Sequence, residues 1–281
     1  MVAHCLALAH AEQASGIDVL PWLLPALVAT SSVCPYVAGA LSYRRRRLRR
    51  WSGWRTTSWL IGTALLAVAL SPVPEAVGDE ARGHMLQHLL IGMFAPLGLV
   101  LAAPMTLFLG IVGTRQRRVI ATMLRSRALH VLGHPVTAGL LNVGGMFALY
   151  LTPLFALSAR HDIVHGLVHL HFLVAGYLFA WAIAGPDAAP RRPGLRTRVT
   201  VLLVAGAGHG YLAKVLYARA GELPPGSGFT VAEMEAGAQW MYYGGDIAEV
   251  LLAAALFAFW YRSHRDRPAG PATTKFAPQS R

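Results

Sequence analysis

Two pairs of histidines, His84/His88 and His165/His169, lie four residues apart in apolar stretches of this 281-residue chain. On a helix that spacing puts both rings of a pair on one face, about 6 Å apart along the axis. Neutral imidazole is the commonest metal ligand in proteins. Imidazole together with thioether, here Met85 and Met93 beside the first pair, suits copper in either oxidation state. A polar side chain in hydrocarbon is costly, so ionisable residues there face protein or a cavity and mark function.

The stretches that must position these rings are membrane spans. The chain is 55% hydrophobic and 14% charged, with mean hydropathy +0.46. Soluble domains average about 25% charged residues. Seven apolar runs are expected to cross the bilayer: Val19–Tyr43, Thr57–Ser71, His84–Val112, Val136–Phe155, Ile163–Ala184, Val199–Ala218 and Ala238–Tyr261. The reading is one all-α, polytopic helical bundle over residues 19–262. Residues 1–18 form an extracytoplasmic tail, and residues 263–281 a basic, disordered one. Pro96 and Pro104 should bend the third run, whereas Gly144-Gly145 and Gly244-Gly245 permit close helix contact.

The net charge of +12 is confined to alternate loops. Arg44 to Arg55, Arg115 to Arg127, Arg191 to Arg198 and Arg262 to Arg281 hold nearly all the cationic residues. The intervening loops hold most of the acids, including Glu75, Asp79, Glu80, Asp162 and Glu222. The positive-inside rule then sets the N-terminus outside and the C-terminus in the cytoplasm. No basic stripe interleaved with aromatics is present, so nucleic acid is not an expected partner, whereas membrane lipid is. Val119, Ile120, Met123 and Leu124 recur at helical spacing among arginines, the pattern of a helix lying on the cytoplasmic surface or of a solvated basic loop. Cys5 and Cys34 make no disulfide framework. The first residues lack the positive n-region of a secretory signal.

Given that topology, His88 lies roughly 7 Å below the outer surface, His169 roughly 10 Å, Asp246 roughly 12 Å and His209 roughly 13 Å. Four spans therefore bring imidazole or carboxylate to the outer third of the bilayer. The candidate metal ligands are His84, His88, His165, His169 and His209. Asp246 or Glu249 could fix an imidazole tautomer, and Lys214 could snorkel or pair with Asp246. Met85 is auxiliary. His171 lies about 200° round the helix from His169 and faces elsewhere. A lone His209 would serve equally well as an interhelical hydrogen-bond donor.

Three other chemistries fit parts of this pattern. A zinc hydrolase needs three protein ligands and an open position, but no His-Glu-x-x-His occurs in the chain. A haem could be clamped between facing histidines. Proton transport through His209, Lys214 and Asp246 lacks polar residues in the inner half of the spans.

His84-Met-Leu-Gln-His88 running on to Pro96 and Pro104 resembles the third span of the CtaG family of bacterial cytochrome c oxidase assembly proteins. His165-Gly-Leu-Val-His169-Leu-His171, on through Gly176 to Gly185-Pro-Asp187, is similar to the family's fifth span. Gly208-His209-Gly210 and Gln239 to Gly245 are similar to its later helices, although the Gln239 to Gly244 spacing is one residue longer than in many relatives. The resemblance covers Ile17 to Arg262. It implies a seven-span, non-enzymatic protein of the bacterial plasma membrane that supplies or inserts copper during assembly of haem-copper oxidase. Oxidase subunits and other copper chaperones are the implied partners, and His84, His88, His165 and His169 the implied metal positions.

Overall fold

The computed structural model describes residues 19–47, 50–187 and 192–265. The expected terminal tails, with Cys5, lie outside these residues but for the start of the C-terminal one. Among the described residues every regular element is helical. In chain order they are α1 (Leu20–Arg47), α2 (Gly53–Ala69), α3 (Glu80–Leu89), α4 (Ala95–Leu101), α5 (Pro104–Ile111), α6 (Thr114–Leu124) and α7 (Arg127–Leu132). The order continues with α8 (Pro135–Leu151), α9 (Leu154–Arg160), α10 (Asp162–Ala184), α11 (Leu195–Ala218) and α12 (Val231–Arg265).

Among the described residues five helices are long and apolar enough to cross a membrane: α1 up to Arg45, the continuous segment Glu80–Leu101, α10, α11 and α12. A sixth is possible if α8 and α9, which meet at a bend of 80°, count as one. The chain is therefore a multi-pass membrane protein. Helix α2 has 17 residues. At 1.5 Å per residue it covers about 26 Å, short of a hydrocarbon core of about 30 Å.

The third expected span is broken in two places, and proline chemistry accounts for both. Pro96 has no N–H to give residue 92, and its ring would strike that carbonyl in a regular helix. The backbone avoids the clash with a π-helical turn over Leu90–Phe94, so that the Ala95 N–H bonds the Leu90 carbonyl five residues back. The Gly92 carbonyl is covered by α10, where a Cβ on Gly176 would overlap its oxygen. The second break lies at Ala103, whose φ of +52° is left-handed, followed by Pro104 as the first residue of α5. The free N–H groups opening α5 donate to buried Asp187, from Met105 at 3.2 Å and Thr106 at 2.7 Å. Gly185-Pro-Asp187 thus caps a helix distant in sequence.

Close approaches hold the third segment at the centre. Across α2 and α4, a Cβ on Gly98 would stand 2.8 Å from the Gly62 Cα, and the Ser58 hydroxyl donates to the Gly98 carbonyl at 2.7 Å. Gln87 on α3 donates to the Ala69 carbonyl at the end of α2, at 2.8 Å. Around this segment stand α8, α10 and α12, and their shared core includes Met85, Ile91, Met146, Tyr150, Leu212 and Met241. The surface helix expected within Thr114–His134 forms as α6 and α7, neither of which buries a residue.

Candidate functional site

Helix α3 starts one turn before the expected His84, where Asp79 caps it by accepting the Arg82 N–H at 2.8 Å. The His84 and His88 rings both point at α8. There Asn142, Met146 and Tyr150 repeat every fourth residue and form a buried stripe. The Tyr150 hydroxyl bridges His84 Nε2 at 3.1 Å and Met85 Sδ at 3.4 Å. When the phenol proton goes to the sulfur, the His84 ring N–H donates to the oxygen. His88 Nε2 stands 3.1 Å from Met146 Sδ, and the ring packs edge-on to Phe172 at 4.7 Å. Phe155 of α9 lies edge-on to His84 at 4.9 Å.

The second pair has a different setting. His165 is exposed and His169 partly so, with ring centroids 4.1 Å apart. Each lines a cleft of about 670 Å³, whose walls come from α1, α2, α3 and α10 and carry Glu75, Gln87 and Asp162. His169 also reaches a narrow cavity lined by His84 and His88, the other walls being Ile91, Leu149, Val168 and Phe172. Three of the five candidate imidazoles, from α3 and α10, thus share one internal space. His171 faces away, as expected, and its Nε2 bonds the Leu141 carbonyl of α8 at 3.1 Å.

His209 is 2% exposed and has a separate environment. Its Nδ1 lies 3.8 Å from Glu249 Oε1, and neither ring nitrogen has a hydrogen-bond partner among the described residues. The ring rests on bare backbone, because a Cβ on Gly245 would overlap it. Glu249 is therefore the carboxylate placed beside an imidazole. Asp246, three residues earlier, is exposed on the outside of α12. Lys214 is not among the ion pairs of the described residues; its Nζ sits 5.1 Å over the Tyr242 ring. The expected Lys214–Asp246 pair is therefore not formed: the lysine lies over an aromatic face instead.

Among the described residues no three His, Cys, Asp or Glu side chains are grouped so as to hold a metal ion. The five histidines fall into three settings: a pair tied to α8, with His88 buried and His84 half-buried, a pair on the cleft, with His165 exposed and His169 half-buried, and an isolated ring beside Glu249. Met146 and Tyr150, which make the polar contacts of the first setting, were missed in the sequence. The four-residue repeat Asn142, Met146, Tyr150 is the signal that could have found them, since it matches the spacing of the histidines opposite.

Comparison with known proteins bears on what such a bundle does. The family model described as cytochrome c oxidase caa3 assembly factor matches residues 34–263. Uncharacterized proteins of Mycobacterium bovis and Mycobacterium tuberculosis are each 34% identical over 206 residues, which cover 69% of this chain and 31% of theirs. An uncharacterized protein of Mycobacterium leprae is 29% identical over 265 residues, covering 87% of this chain and 40% of its own. The chain thus spans 31% to 40% of the length of these curated relatives. No solved structure matches it.

Proposed function

Since the chain belongs to the cytochrome c oxidase caa3 assembly factor family, we propose that it binds copper as cargo in the seam between α3 and α8 and passes it to a nascent oxidase subunit. The observation that carries this reading is the 3.1 Å approach of His88 Nε2 to Met146 Sδ. Two lone-pair donors that close need a proton or a cation between them. With metal–nitrogen and metal–sulfur bonds of about 2.0 and 2.3 Å, two ligands of one ion stand about 3 to 4.3 Å apart. Imidazole and thioether form a donor set that favours copper.

In this reading the His165/His169 pair on the cleft receives the ion, and His169, which borders both spaces, hands it inward by ligand exchange. His84 is held ready by Tyr150 as a further nitrogen donor. His209, steadied by Glu249, completes the set of imidazoles without joining the first coordination. The role is non-catalytic, with oxidase subunits and other copper chaperones as partners, in the plasma membrane of a bacterium. The arrangement calls for seven crossings, with α2 as the short one, the N-terminus outside and the C-terminus in the cytoplasm. The alternation of arginine-rich loops supports that orientation.

The test is elemental analysis of detergent-purified protein. His88→Ala combined with Met146→Leu is expected to remove bound copper. Copper content equal to that of the unaltered protein would reject the cargo reading and leave family membership untouched.

A further inference from the structure

A third cavity, of about 330 Å³, lies at the opposite, arginine-rich end of the bundle between α6, α7 and the end of α10. Ligand pockets commonly hold about 300–1,000 Å³. Arg125, Arg127, His130, His134 and Arg192 line it, no acidic residue does among the described residues, and the remaining wall is mainly apolar and includes Trp181. Arg192 is built in rather than loose. Its guanidinium donates to the Gly185 carbonyl and, at 2.8 Å, to the Asp187 carbonyl, and it lies 5.9 Å from the Trp181 ring centroid. Its Nε is buried with no partner among the described residues. Burial, and then the charge of Arg198, pull this guanidinium below its usual range, with the Asp187 carboxylate, which caps α5, pulling the other way by less. A cation held out of water beside other cations is stabilised by an anion.

The helices that close the cavity fit a bilayer surface. Val119 and Met123 of α6 and Val131 of α7 are exposed, although arginines surround them. Such helices lie in the interfacial plane with their apolar side chains toward the acyl chains. Basic pockets between helices at that depth suit lipid headgroups.

We propose that this cavity binds a phosphate group, with Arg125, Arg127 and Arg192 on the anion and Trp181 beneath the apolar remainder of the ligand. Phosphate can arrive there as the headgroup of an anionic glycerophospholipid or as a free ion. The mixed lining, basic side chains beside apolar ones, favours an amphiphile.

The experiment is native mass spectrometry of the full chain, titrated separately with phosphatidylglycerol, phosphatidylcholine and inorganic phosphate. The variant carries Arg125→Gln and Arg127→Gln, which spare the Arg192 contacts that join the end of α10 to the loop. The unaltered protein should retain phosphatidylglycerol over phosphatidylcholine, and the variant should bind phosphatidylglycerol about tenfold or more weakly. Displacement of the lipid by inorganic phosphate, seen in the unaltered protein but not in the variant, supports the site with a free ion as its source. Equal binding of both ligands by protein and variant overturns the proposal.

Discussion

The two histidine pairs share one spacing and differ in nearly everything else. His84 and His88 face a helix that offers a phenol to the first and a thioether to the second, so each ring has a fixed orientation. His165 and His169 face a cleft and chiefly each other. A repeat of four residues thus sets which rings share a face, while the opposing helix decides whether that face is a clamp or a landing. In the copper reading proposed above, the pair tied to α8 would hold the ion and the pair on the cleft would exchange it.

Replacing His88 by Ala together with Met146 by Leu should have the largest effect on this contrast, reducing retained copper to background. His165→Ala with His169→Ala should leave the final copper content intact but slow uptake from a soluble copper donor. If the open pair also empties the protein of copper, both pairs belong to one ion and the contrast fails. Gly176→Ala tests the packing beneath both pairs, because the new methyl must displace the Gly92 carbonyl. It should lower stability by about 1–3 kcal/mol, read as earlier thermal unfolding in detergent. Tyr150→Phe should do least: it removes the bridge to His84 and Met85 at a cost of about 1 kcal/mol and spares copper content. A complete loss of copper in that variant would make the phenol oxygen a ligand and not a brace.

The helical character and the arginine-rich loops were legible in the sequence, since apolar length and charge placement need no tertiary knowledge. The helices at Thr114–Leu132 were half legible, since apolar spacing among arginines fits a surface helix and a solvated loop alike, and the structure forms helices. Met146 and Tyr150 were legible only as a four-residue repeat with Asn142, because on an apolar span a methionine and a tyrosine look like packing until the facing helix is known. The bend at Pro104 was legible from the proline itself, but the left-handed Ala103 before it was not, since only the backbone reveals it. Asp246 reads as a buried acid by depth alone, but rotation about the α12 axis places it outside. Depth along a helix is fixed by counting residues, whereas azimuth is fixed by neighbours.

The π-helical turn at Leu90–Phe94 therefore acts on more than the clash at Pro96. A wider turn holds one surplus residue, and each residue of an α-helix advances about 100° around its axis. Excising a single amino acid there, with Pro96 changed to alanine to permit a regular helix, would swing His84 and His88 about a quarter-turn away from Met146 and Tyr150 while α4 stayed seated on α2. Every apolar residue could remain in place, and the imidazoles would still miss their sulfur.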